Sequence, residues 1–174
     1  MVNRLLIFSS VDGHTKKICN RIKSSLDNST TTLIDLNEVS DSVLDNYEQI
    51  IIGASIRYGK HRPELYKFIE RNYSILESKK SAFFTVNIVA RKPEKNSPET
   101  NPYMKKFLKL SRWKPDILEV FAGRLEYPKY GLVDKYTIRF IMWITNGPTD
   151  VNGTFEFTDW EKVDNFAKQL KLSS

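Results

Sequence analysis

The hydrophobic residues of the chain follow two alternating spacings. Short, nearly continuous apolar runs such as QIIIGAS at 49–55 predict strands that are buried on both faces, as in a parallel sheet. Between these runs, apolar residues recur three and four positions apart, as at Ile18, Ile22 and Leu26, which predicts amphipathic helices. The predicted strands are residues 4–9, 31–36, 49–55, 81–89 and 117–125. The predicted helices are residues 15–26, 63–73, 103–111 and 133–144, and a last helix capped by Thr158 or Asp159.

This alternation of strands and helices predicts an α/β fold with a parallel sheet. Neither repeats nor breaks in composition divide the chain, so we expect residues 1–174 to form a single domain. Ligands of such folds bind at the carboxyl ends of the strands, where the strand order reverses. The loop after the first strand is therefore the first candidate site.

That loop carries hydroxyl side chains around one glycine. A dinucleotide fingerprint needs three spaced glycines and a P-loop needs a Gly-Lys pair, and neither pattern is present. Ser10, Gly13 and Thr15 instead fit a site in which hydroxyls and backbone N–H groups hold one phosphate at a helix N-terminus. Asp12 is an unfavourable neighbour for a dianion and must point away or bond within its own loop. The alternative is an ordinary Ser/Thr helix cap with a turn glycine.

Cysteine and histidine content excludes several classes of site. The single cysteine, Cys19, cannot form an intrachain disulfide and fits a reducing compartment. One Cys and two His are too few for a typical zinc site, so no metal is expected. The apolar runs at 5–8 and 140–144 are too short for a secretion signal or a membrane-spanning helix. We therefore expect a folded protein in which Cys19 is a buried apolar residue.

The net charge of +6 is concentrated in one segment. Residues 91–114 contain eight Lys or Arg and two Glu, a surplus equal to that of the whole chain. Such a patch favours an anionic partner, which could be nucleic acid, acidic lipid or a carboxylate substrate, against the alternative of a solvated basic face. No helix-turn-helix, RNP or zinc-finger pattern is present, so nucleic acid is not expected.

Several motifs resemble a known family. The stretch SSVDGHT at 9–15 is similar to the FMN-phosphate loop of flavodoxins, with matches at Ser10, Gly13 and Thr15. The stretches IIGASIRYG at 51–59, VNIVARKPEK at 86–95 and FTDW at 157–160 resemble the bacterial quinone-dependent protoporphyrinogen IX dehydrogenases. The resemblance extends over essentially the whole chain.

The resemblance implies a flavodoxin-like three-layer sandwich with a five-stranded parallel sheet of order 2-1-3-4-5. It also implies FMN as cofactor and the dehydrogenation of protoporphyrinogen IX to protoporphyrin IX in haem biosynthesis. Electrons would pass to a membrane quinone, either menaquinone or ubiquinone, and the protein would lie peripherally on the cytoplasmic face of the inner membrane. Assembly into a homo-oligomer is left open, and no catalytic residue is assigned. The alternative is an FMN electron carrier without a porphyrin substrate, although such flavodoxins are typically acidic.

Three loops are expected to bind FMN. Tyr58 would stack on the flavin ring, and Gly59 would permit close approach of the backbone. Asn87 would begin the third loop, or would be a satisfied amide at the strand end. The expected FMN-binding residues are Ser9, Ser10, Val11, Asp12, Gly13, His14, Thr15, Ser55, Ile56, Arg57, Tyr58, Gly59, Asn87, Ile88 and Val89.

Basic residues beside these loops are candidates for substrate binding. Protoporphyrinogen carries two propionates, and guanidinium groups suit carboxylates. The alternative is that these charges are solvated in the loops. The candidates are Arg57, Arg62, Arg91 and Lys92.

An extra segment, about 127–149, follows the fifth predicted strand, where a minimal flavodoxin needs only a short link. Its predicted helix carries Tyr136, Phe140, Trp143 and Ile144 on one side, with basic residues close by. Such a helix suits an anionic membrane surface or a cover over an apolar substrate. The alternative is a helix packed on the sheet.

Overall fold

A computed structural model describes residues 1–173 of the chain. Its main sheet has five parallel strands in the order β2-β1-β3-β4-β5. The predicted order 2-1-3-4-5 is therefore confirmed. The strands are β1 (Arg4–Ser9), β2 (Thr31–Asp35), β3 (Gln49–Ser55), β4 (Lys80–Asn87) and β5 (Ile117–Ala122).

Helices cover both faces of this sheet and complete a three-layer sandwich. Apolar residues of α1 and α6 pack on one face, and those of α2, α3 and α4 pack on the other. Cys19 of α1 is fully buried as expected, and burial raises the pKa of its thiol. The helices are α1 (His14–Ser25), α2 (Pro63–Arg71), α3 (Tyr73–Ser78), α4 (Pro102–Leu110), α5 (Leu132–Ile144) and α6 (Trp160–Leu172).

The last two helices agree with the sequence analysis. Helix α5 begins one residue before the predicted start at 133 and ends at the predicted residue. Helix α6 is capped by Asp159, whose carboxylate accepts a hydrogen bond from the Lys162 N–H at 3.0 Å. None of the helices in residues 1–173 combines the length and hydropathy needed to span a bilayer.

Two predicted strands end two or more residues earlier than expected. The strand predicted at 81–89 stops at Asn87, because the Asn87 side chain accepts a hydrogen bond from the Ala90 N–H and caps a short 3₁₀ turn. The strand predicted at 117–125 stops at Ala122, beyond which β4 offers no further partner. After Gly123 the chain turns into a second, antiparallel ribbon.

That ribbon frames the extra segment. Strand β6 (Arg124–Glu126) pairs with β7 (Thr154–Glu156), and α5 lies between them in the chain. The extra segment therefore runs from 124 to 156 and is longer than the predicted 127–149. The helix predicted at 63–73 ends at Arg71, where the Asn72 side chain donates to the Phe68 carbonyl oxygen, and a separate helix that was not predicted, α3, follows it.

Candidate functional site

A cavity of about 440 Å³ lies at the carboxyl edge of the sheet. It is formed by the loops after β1, β3 and β4, by residues after β5, and by one side of α5. Among the residues that we expected to bind FMN, Ser9, Val11 and Gly13 do not line it. The expected residues that do line it are Ser10, Asp12, His14, Thr15, Ser55, Ile56, Arg57, Tyr58, Gly59, Asn87, Ile88 and Val89.

The loop after β1 has the form of a phosphate site. Gly13 adopts a φ of 83°, which a residue with a side chain rarely adopts, and it leads directly into α1. The Ser10 hydroxyl accepts a hydrogen bond from the Gly13 N–H at 3.0 Å and shapes the loop. Thr15, in the first turn of α1, is 1% exposed, and its hydroxyl has no protein partner. A buried hydroxyl without a partner at a helix N-terminus fits an anionic ligand such as a phosphate.

His14 supplies a second buried polar atom without a protein partner. The Thr158 hydroxyl donates to the Ala122 carbonyl oxygen at 2.8 Å, so it accepts from His14 Nε2 at 2.6 Å. This hydrogen-bond chain places the imidazole proton on Nε2 and leaves the buried Nδ1 as an acceptor without a partner. Burial lowers the pKa of His14 to about 4, which keeps the ring neutral near pH 7.

The charge of Asp12 is compensated from the neighbouring loop. One Arg57 nitrogen lies 3.2 Å from the Asp12 carboxylate, and another lies 3.4 Å from the carboxylate of Asp134 in α5. Arg57 therefore joins the loop after β1 to the extra segment. Its guanidinium also lies 5.1 Å from the ring centre of Tyr58 and 6.0 Å from that of Tyr130.

The loop after β3 is a tight two-residue turn that presents Tyr58. Arg57 and Lys60 exchange backbone hydrogen bonds of 2.9 and 3.2 Å around Tyr58 and Gly59. Both central residues have positive φ, 50° and 71°, which is usual for Gly but uncommon for Tyr. The Tyr58 side chain is 73% exposed beside the cavity, and its hydroxyl donates to the Asp134 carboxylate at 3.0 Å.

The loop after β4 uses Asn87 as a structural residue. Its side-chain oxygen accepts from the Ala90 N–H at 3.0 Å and from the Asn101 amide at 3.1 Å. The side chain thus satisfies a strand end, which was the alternative that the sequence left open. Ile88 and Val89 contribute to the cavity wall.

The four basic candidates for substrate binding lie in different environments. Arg57, Arg91 and Lys92 line the cavity, whereas Arg62 lines a neighbouring, more open depression and lies 3.9 Å from the Glu64 carboxylate. The Arg91 guanidinium donates to the Thr145 hydroxyl at 2.8 Å and to its carbonyl oxygen at 3.1 Å. Burial lowers the pKa of Arg91. Arg57 and Arg91 therefore also hold the two ends of α5.

Sequence reasoning missed Arg124 and Tyr130, which line the cavity from the extra segment. Arg124 pairs with Glu126, and its buried Nε has no hydrogen-bond partner. Burial raises the pKa of Tyr130 to about 12, so its hydroxyl stays protonated. The available signal was that Arg124 follows the carboxyl end of a parallel strand, but the prediction had placed it inside that strand.

Helix α5 presents an exposed apolar side, here named the outer face. Among the residues of α5, Met142 is the one that is classed as buried, so the helix is not packed into the sheet. The residues Tyr136, Phe140, Trp143 and Ile144 are each more than half exposed, and Leu132 and Val133 are more exposed still. The outer face comprises Leu132, Val133, Tyr136, Phe140, Trp143 and Ile144.

Comparison with known proteins identifies the family. A family model described as a flavodoxin domain matches residues 5–152. Over 168 residues the chain is 40% identical to "Protoporphyrinogen IX dehydrogenase [quinone]" of Escherichia coli K12. The aligned residues cover 95% of this chain and 93% of that relative. The chain belongs to the family of quinone-dependent protoporphyrinogen IX dehydrogenases. A member of this family from Leishmania major is 42% identical over 169 residues, covering 95% of this chain and 73% of the relative.

Solved structures show that the chain has the flavodoxin fold. A short-chain flavodoxin associated with a bacterial microcompartment superposes with a TM-score of 0.55 over the full length of both chains, at 13% identity. Oxidised flavodoxin 2 from Bacillus cereus gives a TM-score of 0.52 over 99% of both chains, at 18% identity. The match to the flavodoxin domain indicates that the cavity of this family member is a flavin site.

The donors of the cavity suit a flavin phosphate and do not suit a metal. No group of three or more His, Cys, Asp or Glu side chains in residues 1–173 is arranged to hold a metal ion. The Thr15 hydroxyl instead offers a buried polar atom without a partner beside the start of α1, and it can donate to a phosphate oxygen. The loop of this dehydrogenase therefore fits FMN through its phosphate.

Proposed function

We propose that this protein is an FMN-dependent enzyme that dehydrogenates protoporphyrinogen IX to protoporphyrin IX in haem biosynthesis and passes the electrons to a membrane quinone. The observation that carries the proposal is the 40% identity to curated dehydrogenases of that name, which spans 95% of the chain and includes the extra segment. Conserved fold alone would not carry it, because the flavodoxin fold hosts several functions.

FMN would be held mainly by the loop after β1. The Thr15 hydroxyl and the N–H groups of the first turn of α1 would receive the phosphate, with Ser10 holding the loop in shape. Tyr58 and the Ile88–Val89 wall would border the flavin ring. When bound, FMN supplies the hydride-accepting chemistry, while the protein binds and orients the reactants.

The cavity also offers what a porphyrinogen requires. Ile88, Leu125, Ile138 and Ile141 provide apolar surface for the macrocycle. Lys92 lines the same cavity and can pair with a propionate. Arg62 lies next to the cavity, close enough to the cofactor loops to serve a second propionate that extends beyond it.

The outer face of α5 would contact the membrane that holds the quinone. Its six exposed apolar residues suit burial at the lipid interface. Lys135 and Arg139 lie along one edge of that face and can attract anionic lipid. The protein would then lie peripherally on the cytoplasmic face of the inner membrane.

Anaerobic turnover of protoporphyrinogen IX by the FMN-loaded protein tests this proposal. Protoporphyrin fluorescence should appear when a menaquinone or ubiquinone analogue is the acceptor, and it should depend on both the protein and the quinone. The competing function is an FMN electron carrier, which the flavodoxin fold favours. A carrier would exchange electrons with a reductase or a quinone but would yield no protoporphyrin above the protein-free control.

A further inference from the structure

Helix α5 is attached much more firmly at its C-terminal half than at its N-terminal half. Its apolar anchors, Ile138 and Met142, pack in a small cluster with Leu125 and Tyr127 of the extra segment. Residues 132–136 add no side chain to that cluster. The N-terminal half therefore depends on polar contacts to stay against the rest of the protein.

The two ends of α5 are also tethered by different polar contacts. At the C-terminal end, Arg91 donates to the side chain and the main chain of Thr145, and both hydrogen bonds are partly buried. At the N-terminal end, one oxygen of Asp134 accepts from the Tyr58 hydroxyl at 3.0 Å and from Arg57 at 3.4 Å. This second contact is partly open to water, where ion pairs contribute little.

The cavity beneath α5 is small for two large ligands. Its volume of about 440 Å³ lies in the lower part of the range of roughly 300–1,000 Å³ found for sites that hold one drug-sized molecule. FMN and a tetrapyrrole are each molecules of that size or larger. If the proposed function holds, both must be in contact at this site, and movement of α5 at its weakly held end would make room for the second ligand.

We propose that Asp134 is a positioning residue that closes the N-terminal half of α5 over the cofactor cavity through Tyr58 and Arg57, and that release of this contact admits the porphyrinogen. The C-terminal half, held by Met142 and Arg91, acts as the pivot. The proposal rests on the proposed function for the identity of the second ligand, but the tether itself does not depend on it.

Amide hydrogen exchange of the FMN-loaded protein tests the tether. Asp134→Asn removes the carboxylate, but Asp134 also lies in the first turn of α5, where an acidic group stabilises the helix itself. Tyr58→Phe avoids this ambiguity, because it removes one donor to Asp134 and leaves the sequence of α5 intact. Asp134→Glu keeps the carboxylate and should restore protection.

Both Asp134→Asn and Tyr58→Phe should raise the exchange rates of amides 135–137, the first amides of α5 with helical hydrogen bonds, by up to about fivefold, the effect of a contact worth up to about 1 kcal/mol, and should leave amides 140–145 unchanged. Asp164→Asn is the matched control, because it removes a similarly exposed pair with Arg21 between α1 and α6. FMN dissociation should accelerate in the two tether variants and not in the control. Unchanged exchange in both tether variants, or faster exchange in Asp134→Asn alone, would overturn the proposal.

Steady-state kinetics then test the role in substrate entry. An easier opening should raise kcat/KM for protoporphyrinogen through a lower KM in Asp134→Asn, whereas a residue that only maintains the fold should lower it or leave it unchanged. An unchanged or lower kcat/KM overturns the entry role. Absence of turnover in the wild-type protein would instead refute the proposed function, and the exchange and FMN-release measurements would still decide on the tether.

Discussion

Replacing Thr15 with Val should change ligand-free stability and FMN affinity in opposite directions. Thr15 is 1% exposed, and its hydroxyl has no partner in the protein. Both side chains are β-branched and similar in size, so helix α1 should tolerate the change. The substitution therefore removes the hydroxyl and little else.

The magnitudes follow from the burial of this hydroxyl. A buried polar group without a partner costs about 1–3 kcal/mol, so the ligand-free Thr15→Val protein should be more stable by about 1 kcal/mol. A hydrogen bond to a charged group contributes about 1.5–3 kcal/mol, so FMN should bind about tenfold to a hundredfold more weakly. Urea unfolding measures the first quantity, and quenching of flavin fluorescence on binding measures the second.

Riboflavin and a second threonine provide the controls. Riboflavin lacks the phosphate, so its affinity should be the same for Thr15→Val and the wild-type protein. Thr31 in β2 is also buried with a hydroxyl that has no partner, but it does not line the cavity. Thr31→Val should therefore gain stability and bind FMN normally. Equal losses for FMN and riboflavin, or an unchanged FMN affinity, would refute the phosphate site.

Three further predictions concern the membrane, the substrate and pH. The double substitution Phe140→Glu and Trp143→Glu changes two residues of the exposed outer face. It should leave folding and FMN content intact but reduce sedimentation with anionic vesicles. Loss of folding, or normal vesicle binding, would contradict the interfacial role. Lys92→Ala should raise the KM for protoporphyrinogen by about tenfold, the loss of one charge-assisted hydrogen bond, with FMN affinity unchanged. Arg62→Ala tests the second propionate in the same assay, and an unchanged KM in both variants would mean that these charges are only solvated. His61 is 3% exposed, and burial lowers its pKa to about 4. As the pH falls from 7 to 5, the unfolded chain takes up a proton at His61 and the folded protein does not, so this site should lower the free energy of unfolding by about 2 kcal/mol. The urea midpoint of His61→Gln should therefore depend less on pH over that interval than the wild-type midpoint, and an equal dependence would contradict a neutral, buried His61.

The strands were predictable because hydrophobic periodicity reports burial directly, whereas the strand order and the set of three cofactor loops were implied by the resemblance to flavodoxins. QIIIGAS forms β3 with the predicted bounds, since a central parallel strand has no polar face. The location of the loop after β1 followed from the rule that ligands bind at the carboxyl edge. Its buried, unpartnered Thr15 hydroxyl is the structural counterpart of that prediction.

The edges of the extra segment could not be predicted from periodicity. Residues 117–125 read as one strand, because nothing in their pattern shows that β4 has already ended at Asn87. Only the paired ribbon makes clear that Arg124 turns away and lines the cavity. A side-chain cap such as that of Asn87 ends pairing without changing the apolar pattern.

Contacts between distant parts of the chain were also beyond the sequence. Asp134 meets Arg57 and Tyr58 across more than seventy residues, and no local pattern links them. Likewise, helical spacing placed Phe140 and Trp143 on one side of α5 and left open whether that side packs on the sheet, and only the fold shows that both residues are exposed. Arg57 and Arg91 were predicted as substrate ligands, and the contacts that they make with α5 became apparent only in three dimensions.

The central claim is that the flavin held in this cavity accepts hydrogen directly from protoporphyrinogen IX. The most direct measurement is the absorbance of the bound flavin when the FMN-loaded protein is mixed anaerobically with protoporphyrinogen IX and no other acceptor. The account predicts that the oxidised flavin band bleaches on mixing, with about three flavins reduced for each protoporphyrin formed because six electrons leave the substrate and each flavin accepts two, and that addition of a quinone restores the band. A flavin that stays oxidised in the presence of protoporphyrinogen, yet is bleached by dithionite, would contradict it.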